Sequence, residues 1–510
     1  MDFLLRNKIY LLPVVLVALM FGYFFYFSFN FNWFAEDFYI AGSPLYDRNI
    51  IKAIIEIFKP HSDYRITMMA YRNSDLFSFI LKYDMEFYGK YFMTSIFMSS
   101  TFVIFMYVLS WYLNFRFLFT VKNKILKDSG IFLIIFIIFI AINNSLMNLF
   151  WYSSFSSHIF NEMLLFLMII SYVRLFNSSN FEKMENKGFV YKFLLYCYLL
   201  ILSYLVGNGT ESTSLFAILV IFVLVIYLIK KYKKIYFWYF FPLITLFYGL
   251  YVQVVVLNTR VDIDKNKFLL DKINHFFVYF FKNLWFGYKY FLIFILGYLI
   301  VLFLKYFKKI NIVNRKDFNI SSVFLLGFFV NLAILVILLA KGMFLYVPYY
   351  SNFNNMMIID LFRWYTMADV FLGLFILYFC WFLIKEFKHK KNIKYIIGLL
   401  FLVIFSNFVM NNIVVIQKSN YYNKNLIKPK NELLNKIKNE ISLNDCYSIT
   451  PKDLETISLG FTKEEEIKRM DTNQLKNHWM WINELYYGKI DINKIKFEGT
   501  CDLKNKKVKR

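Results

Sequence analysis

Eleven apolar runs, most of them near the length of a membrane-spanning helix and the third one short, constrain the fold of this chain more than any other feature of its sequence. A hydrocarbon core of about 30 Å is crossed by roughly 20 residues of helix. The runs cover or centre on residues 10–29, 96–118, 131–142, 159–173, 191–206, 215–229, 236–256, 290–304, 322–340, 367–384 and 395–410. Such a series predicts a chain that crosses a membrane about eleven times.

The apolar content and the pattern within the runs define the fold class. Hydrophobic residues make up 59% of the 510 residues, which is more apolar surface than a soluble domain of this size buries. In lipid, only helices and closed barrels satisfy all backbone hydrogen bonds, and these runs lack the alternation of barrel strands. We therefore predict an all-α polytopic membrane protein with about 11 transmembrane helices.

Lysine and arginine residues mark one side of the membrane. The net charge of +24 is concentrated in every second connector between apolar runs, which argues against a nucleic-acid partner. Cytoplasmic connectors carry such an excess of basic residues. The basic connectors contain Arg6 and Lys8, Lys122 to Lys127, Lys183 and Lys187, Lys230 to Lys234, Lys305 to Lys316, and Lys385 to Lys394. This alternation predicts a cytoplasmic N-terminus and an extracytoplasmic C-terminus.

The long connectors all fall on the predicted outer side. We predict a transmembrane helical domain at 1–412, with a long first outer loop at 30–92, and a small extracytoplasmic C-terminal domain at 413–510. Charged amphipathic patterns predict helices at 426–440 and within 451–485 of that domain. The first loop contains two further amphipathic segments, at 49–58 and 75–87, whose composition suits the membrane interface.

The cysteines agree with this topology. Cys197 and Cys380 fall inside apolar runs, where a lone cysteine behaves as a small apolar residue. Cys446 and Cys501 both fall in the outer C-terminal domain, where an oxidising compartment lets thiols pair. The sequence leaves open whether these two cysteines approach within bonding distance.

An acidic pair follows the first apolar run. Glu36 and Asp37 lie within about eight residues of its end, between aromatic and apolar neighbours. Carboxylates held close to the membrane plane are partly desolvated, which raises their proton affinity and suits a general base. Chance placement of two loop charges is the competing interpretation.

Three further residues are candidates on the outer side. Glu211 follows a tight Gly-Asn-Gly-Thr turn, where a functional carboxylate and a simple helix N-terminal charge are both compatible with the pattern. His158 follows an aromatic stretch and is either a ligand for a charged group or a satisfied interfacial histidine. Arg363 opposes the positive-inside trend, which favours a binding role over an interfacial anchor.

With these residues in place, the chain resembles the GT-C class of membrane glycosyltransferases, which transfer a sugar from a polyprenyl-phosphate carrier on the outer face. The resemblance rests on the many-spanning helical body, the long first outer loop, and the acidic pair Glu36-Asp37. In bacterial members that modify surface polysaccharides, the first loop ends in a Gly-Arg pair between aromatic or polar residues. Tyr88-Gly89-Lys90-Tyr91 is similar, with lysine in place of arginine.

The resemblance implies roles and partners. Asp37 or Glu36 would deprotonate the acceptor hydroxyl, and Arg363 would hold the carrier phosphate, with Lys90, Glu211 and His158 as further substrate-binding candidates. The partners would be a polyprenyl-phosphate-linked sugar, a glycan or lipid-linked acceptor, and membrane lipid, in the plasma membrane. The class leaves a divalent metal open as a cofactor, because its families differ in requiring one.

Two other functions remain open from the sequence, and so does a third interpretation, a non-catalytic membrane scaffold that presents the C-terminal domain. A polysaccharide polymerase also acts on lipid-linked glycans outside, whereas a lipid-linked sugar flippase or other transporter would show internal repeats and broken helices. Motifs for nucleotide hydrolysis, zinc proteolysis and α/β-hydrolase chemistry are absent from the sequence.

Overall fold

The protein is described here by a computed structural model in which helices account for most of the chain. The structure describes residues 2–30, 78–88, 91–113, 124–142, 155, 159–175, 188–209, 211–233, 235–236, 239–258, 285, 288–307, 312, 315–350, 366–387, 391–458, 464–477, 485 and 489–497. Within these ranges, the side chains at several helix ends, that of Glu211 among them, are not described.

The helices of the main body coincide with the predicted apolar runs. In chain order the elements are α1 (Asp2–Asn30), the short α2 (Ser78–Tyr83) with a π-helical turn (Asp84–Tyr88), α3 (Met93–Leu113), α4 (Lys124–Ile142), α5 (Phe160–Leu175), α6 (Phe189–Gly207), α7 (Glu211–Tyr232), α8 (Phe241–Asn258), α9 (Leu292–Tyr306), α10 (Arg315–Tyr350), α11 (Thr366–Glu386) and α12 (Lys391–Tyr422). Each of the eleven predicted runs overlaps one helix, and α2 falls in the predicted amphipathic segment 75–87.

Six of these helices contain segments long and apolar enough to cross a membrane. Within the described residues, these segments are Pro13–Asn30, Phe189–Gly207, Thr213–Lys230, Asp317–Val336, Ala368–Glu386 and a sixth that begins at Tyr395. Five shorter apolar segments lie in α3, α4, α5, α8 and α9. The class of helical membrane protein is therefore confirmed, and the count of eleven crossings stays a prediction.

Aromatic contacts hold the first helices together in alternating directions. The rings of Phe24 and Phe102 lie 4.1 Å apart between α1 and α3, and those of Phe102 and Phe139 lie 5.3 Å apart between α3 and α4. Near the end of α1, Phe25 contacts Phe92 just before α3 begins. Helix association in lipid depends on such packing because lipid tails are as apolar as the side chains.

Glycine allows α6 and α8 to approach closely. A Cβ atom on Gly207 would lie 2.6 Å from the carbonyl oxygen of Leu246, and one on Gly249 would lie 2.6 Å from the carbonyl carbon of Gly207. The hydroxyls of Ser203 and Thr245 form a hydrogen bond between the same helices. Small residues and hydroxyls at a helix contact are typical of membrane bundles.

The last helix of the body continues without a break into the C-terminal region. A π-helical turn (Asn423–Ile427) joins α12 to α13 (Lys428–Asn444), which confirms the helix predicted at 426–440. The proposed domain boundary at 412/413 falls inside α12, so the helix itself links the two regions.

Residues 437–497 form a second core, separate from that of the helical body. Ile437, Leu454 and Ile457 are among its buried residues. The elements after α13 are the strand β1 (Tyr447–Ser448), the helices α14 (Pro451–Ile457), α15 (Glu464–Ile467) and α16 (Thr472–Asn477), a 3-10 turn (Ile492–Lys494), and the strand β2 (Ile495–Lys496). β1 and β2 pair in parallel, a short sheet that the sequence analysis did not predict.

The start of α14 follows its sequence signal. Pro451 occupies the first turn, and the Thr450 hydroxyl accepts a hydrogen bond from the backbone N–H of Asp453 at 3.1 Å. The Asp453 carboxylate in return accepts one from the Thr450 backbone N–H at 2.9 Å. This reciprocal cap satisfies donors that a helix otherwise leaves unpaired.

One cysteine of the C-terminal region is oxidised. Cys446 is disulfide-bonded, whereas Cys197 and Cys380 in the helical body are free thiols. Cys501 lies outside the described residues, so its pairing with Cys446 stays a prediction.

Candidate functional site

The six candidate residues from the sequence fall largely outside the described structure. Glu36, Asp37, Lys90, His158 and Arg363 lie outside the described residues, and their predicted roles stay predictions. Glu211 is the first residue of α7, as the turn pattern predicted, although its side chain is not described.

Buried carboxylates are few in the described part of the chain. They belong to Asp84, Glu162, Asp317 and Asp369, which are between 0% and 7% exposed. A buried carboxylate is costly unless it is paired or hydrogen-bonded, and such groups often mark functional positions in membrane proteins. Their positions along the bundle therefore indicate where polar chemistry is concentrated.

Ring contacts assign the buried carboxylates to the two ends of the bundle. We call the end where α1 ends and α3 begins the loop face. Helix α5 runs parallel to α3, because Phe97 contacts Phe160 and Phe105 contacts Phe166. Phe166 in turn contacts Phe371, which lies near the start of α11. Helix α5 therefore begins at the loop face. Helix α4 ends there, because Phe102 contacts Phe139 and Tyr107 contacts Phe132. The start of α11 lies at the same face, since a Cβ atom on Gly373 would lie 3.4 Å from Ile142 at the end of α4.

Three of the four buried carboxylates lie at the loop face. Asp84 precedes α3, Glu162 is in the first turn of α5, and Asp369 is in the first turn of α11. Asp317 lies at the other end, because α10 runs antiparallel to α11. That direction follows from the ring contacts of Phe318 with Phe382 and of Phe324 with Tyr378.

Asp84 fixes the end of the first loop to α3. Its two carboxylate oxygens accept hydrogen bonds from the backbone N–H groups of Met93 at 2.8 Å and Thr94 at 2.7 Å. Burial raises the pKa of the Asp84 carboxyl above its ordinary value, while the N–H group of Thr94 acts in the opposite direction. Asp84 is thus a desolvated carboxylate held by a helix N-terminus.

A second polar cluster lies where the α6–α7 turn meets α5. A Cβ atom on Gly209 would overlap the side-chain amide of Asn161, so the turn and the start of α5 are in direct contact. Asn161, Glu162 and Asn208 are all buried. Among the described residues, neither polar atom of the Asn208 side-chain amide has a hydrogen-bond partner. The cluster lies beside Glu211 at the start of α7.

Asp369 is buried beside a tyrosine at the start of α11. The Tyr288 hydroxyl donates a hydrogen bond to Oδ1 of Asp369, and the Tyr288 ring packs edge-on against Phe328 at 5.4 Å. Oδ2 of Asp369 has no hydrogen-bond partner among the described residues. The loop face thus contains a carboxylate oxygen that is buried and unpaired within the described structure.

The carboxylate at the opposite end is neutralised. Nζ of Lys385 lies 2.8 Å from Oδ2 of Asp317, which pairs the start of α10 with the end of α11. The same ammonium lies 5.0 Å from the centroid of the Trp381 ring. This arrangement holds two antiparallel helices together and pairs the one buried acid that the described residues place at that end.

The loop face also carries a cavity between the first loop and the C-terminal region. We call it the loop–tail cavity; its volume is about 590 Å³, and it is lined by Met85, Glu86, Lys489, Ile490, Asp491, Ile492 and Asn493. This volume is within the range of about 300 to 1,000 Å³ typical of small-molecule sites. It adjoins Asp84, the residue before Met85.

Sequence reasoning missed the most buried acids of this site. Asp369 stands alone in the apolar run predicted at 367–384, and an isolated acid in such a run is itself a functional signal. Asp84 falls in the amphipathic segment 75–87, where a surface charge and a helix cap are indistinguishable by pattern. The lining residues 489–493 have no motif, and only folding brings them to the first loop.

No metal site is evident from side-chain chemistry in the described part of the chain. Groups of three or more histidine, cysteine, aspartate or glutamate side chains placed to hold a metal are absent there. Comparisons of the chain with protein-family models, with curated proteins and with solved structures find no match. The site therefore has to be interpreted from its own residues.

Proposed function

We propose that the protein is a glycosyltransferase that moves a sugar from a polyprenyl-phosphate carrier to a glycan or lipid-linked acceptor on the outer face of the plasma membrane. The observation that carries this proposal is the one-sided placement of buried carboxylates. Asp84, Glu162 and Asp369 lie at the loop face, whereas Asp317 at the other end is paired with Lys385. A reaction that takes place at one face of the membrane needs its carboxylates at that face, and this placement provides them.

The proposed topology has eleven crossings, with the loop face outside. The loop–tail cavity lies between the first loop and the C-terminal region, which supports a topology with both on one face and an even number of crossings between them. Ten apolar helices, α3 to α12, lie between the first loop and the C-terminal region in the sequence. Together with α1 they give eleven crossings, and the basic connectors then fall on the cytoplasmic side.

Reporter fusions test this topology directly. A reporter fused after a given residue reports the side of the membrane on which that residue lies, so fusions in adjacent connectors should give opposite results. We expect cytoplasmic readings after Lys127, Lys234 and Lys394, and outer readings after Arg48, Asp264 and Lys430. A cytoplasmic reading after Lys430 would exclude eleven crossings.

The proposed reaction assigns a separate task to each predicted residue. Asp37 takes the proton of the acceptor hydroxyl, whose oxygen then bonds to the anomeric carbon of the donor sugar. The bond from that carbon to the phosphate oxygen breaks, and the carrier leaves as polyprenyl phosphate with the bonding pair. Arg363 stabilises the negative charge of the leaving phosphate, and Glu36 orients the loop or helps to hold a cation.

Three residues are assigned supporting roles at the same face. Glu211 is the first residue of α7 and follows the turn in which Gly209 lies against the buried Asn161 amide, a group suited to sugar hydroxyls. Lys90 is two residues after the π-helical turn that lines the loop–tail cavity, and His158 is two residues before the first residue of α5 in the sequence. We assign all three to substrate binding.

Binding of the lipid-linked donor tests the role of Arg363. Arg363→Lys keeps the charge and loses the planar two-pronged contact, so donor affinity should fall in this variant and fall further in Arg363→Ala. The exposed Arg469 in the C-terminal region provides a matched control, because Arg469→Ala removes the same side chain away from the proposed site. Unchanged donor binding in Arg363→Ala would reduce Arg363 to an interfacial anchor.

A transporter would give a different result in the same membranes. If a flippase function were correct, lipid-linked sugar would change leaflet without any new glycosidic bond. We therefore expect radiolabelled sugar to appear in acceptor glycan and not only in the opposite leaflet. Transport without transfer would contradict the proposal.

A further inference from the structure

The loop–tail cavity has a lining that discriminates between the two substrates of the proposed reaction. We infer that it binds the acceptor saccharide and does not accommodate the phosphate of the donor. This inference rests on the proposed function, because an acceptor exists only for a transferase. The binding chemistry itself is tested separately below.

The lining combines an apolar wall with hydrogen-bonding groups. Met85, Ile490 and Ile492 provide the apolar side, and Glu86, Asp491, Asn493 and Lys489 provide carboxylates, an amide and an ammonium. A saccharide presents C–H faces and hydroxyl groups within one small ring, so it needs both kinds of surface. Carboxylates and amides each accept hydrogen bonds from hydroxyl groups.

The charge of the lining argues against a phosphate ligand. Two carboxylates, those of Glu86 and Asp491, face one ammonium, that of Lys489, within the described lining. Phosphate sites in proteins are built from arginine, lysine and backbone N–H donors, and like charges at a binding surface are strongly unfavourable. A neutral polyhydroxylated ligand avoids this repulsion and uses the same carboxylates as acceptors.

The first wall of the cavity is held by the helical body. Met85 and Glu86 directly follow Asp84, whose carboxylate is bonded to the backbone of Met93 and Thr94. Met85 is itself buried. The short π-helical turn thus has one fixed point at its start, which positions Glu86 before any ligand binds.

The second wall is held by the C-terminal core. The backbone N–H of Ile490 donates to the carbonyl of Leu485 at 2.9 Å, and both side chains are buried. Oδ1 of Asp491 accepts from the backbone N–H of Asn493 at 3.0 Å. One turn on, Nζ of Lys494 lies 2.6 Å from Oδ1 of Asp445. These bonds preorganise the segment 489–493.

Lys489 adopts a backbone conformation that non-glycine residues rarely adopt. Its φ is +57°, in the left-handed region. Such strain is retained where the surrounding structure enforces it, and it often accompanies binding sites. Here the left-handed residue is the first of five consecutive residues that line the cavity.

Two isosteric substitutions test the inference with limited risk to folding. Glu86→Gln and Asp491→Asn remove the charges, and asparagine can still accept the hydrogen bond from the Asn493 N–H. Glu432→Gln serves as the control, because Glu432 is an exposed carboxylate on α13 outside the cavity. The full-length protein in lipid nanodiscs is titrated with fluorescently labelled oligosaccharides of two to four residues, released by mild acid from the host's surface polysaccharide.

The expected result is a specific loss of oligosaccharide binding. The double variant Glu86→Gln with Asp491→Asn should bind about 10-fold or more weakly, because hydrogen bonds to charged acceptors are the stronger ones. The control variant should bind as the wild type does, and inorganic phosphate should not compete. Competition by phosphate, equal binding by the double variant, or no binding by the wild type would each overturn the inference.

Transfer measurements separate this inference from the proposed function. In a working transferase, the double variant should raise the half-saturating acceptor concentration and leave that of the donor unchanged. A rise for the donor instead would overturn the acceptor assignment while the transferase stands. Specific oligosaccharide binding by a protein that transfers no sugar would refute the transferase and retain the saccharide site.

Discussion

The Asp84 carboxylate accepts a hydrogen bond of 2.7 Å from the backbone N–H of Thr94, across the ten residues that join the first loop to α3. The same carboxylate accepts a second hydrogen bond from the backbone N–H of Met93, so a buried acid caps the N-terminus of α3. The same residue leads into the wall of the loop–tail cavity. A structural cap and a binding surface therefore depend on one side chain.

Removal of this cap should destabilise the protein. Asp84→Ala leaves two backbone N–H groups without their acceptor in a buried site, which costs about 1 to 3 kcal/mol each when no water replaces it. Asp84→Asn retains one acceptor oxygen, so its effect should be smaller. Thermal unfolding of the purified protein in one detergent checks both variants, and unchanged unfolding in Asp84→Ala would contradict the cap.

The contribution of Asp84 to the stability of the folded protein depends on pH with a defined sign. Because burial raises the pKa of Asp84 in the folded state, folding binds a proton between the ordinary value of 3.8 and the folded value. The Asp84 contribution is therefore largest at low pH and is lost as pH rises through the folded pKa. The stability of the wild type relative to Asp84→Asn should increase as the pH is lowered from neutral towards 3.8, measured by paired thermal unfolding curves.

The Asp317–Lys385 pair should behave as a coupled unit. Lys385→Met leaves the nearly buried Asp317 carboxylate without its cation, and we expect a loss of about 1 to 3 kcal/mol, discounted for the partial exposure of Lys385. The double variant Asp317→Leu with Lys385→Met should recover most of the stability that Lys385→Met loses. A double-mutant cycle on unfolding free energies measures the coupling, and strictly additive losses would show that the two side chains do not interact.

Contact between α6 and α8 should not tolerate a methyl group. Gly249→Ala places a Cβ atom 2.6 Å from the backbone of Gly207, so one helix must shift. Gly22→Ala and Gly398→Ala are matched controls, because a Cβ atom at either position has no neighbour within 4 Å. A lower unfolding temperature for Gly249→Ala alone is expected. Equal behaviour of the three variants would refute the close approach.

The disulfide prediction is tested by reduction. The wild type should change mobility on a non-reducing gel when a reductant is added, and Cys446→Ser or Cys501→Ser should abolish the change. Serine at Cys197 or Cys380 should have no effect, because both are free thiols. If Cys501 reacted with an alkylating reagent in non-reduced protein, its pairing with Cys446 would be excluded.

The helical body was predictable from sequence because each helix has to satisfy its own backbone within lipid. Hydropathy therefore located α1 and α3 to α12, and the Thr450-Pro451 signal located α14. Contacts between distant segments were not predictable. The approach of residues 489–493 to Glu86, and the bond from Tyr288 to Asp369 across 81 positions, depend on tertiary packing that no local pattern encodes.

Of the candidate site, the sequence located one helix start, because Glu211 does begin α7 after the predicted turn. The placement of the other candidate residues stays a prediction. Asp84 was not singled out, because a capping carboxylate and a solvated loop charge have the same local sequence. Burial, which distinguishes them, is a property of the folded chain.

Sugar transfer by Asp37→Asn is the measurement that tests the central proposal most directly. The substitution keeps the shape of the side chain and removes its basicity, whereas Glu36→Gln alters the neighbouring carboxylate and should cost less. Transfer from polyprenyl-phosphate sugar to acceptor glycan is compared in membranes that contain each variant at matched abundance. We predict a reduction on the order of 10²-fold or more for Asp37→Asn, as expected for loss of a general base. Near-normal transfer by Asp37→Asn would contradict the assigned role, and equally normal transfer by Glu36→Gln would contradict the glycosyltransferase proposal.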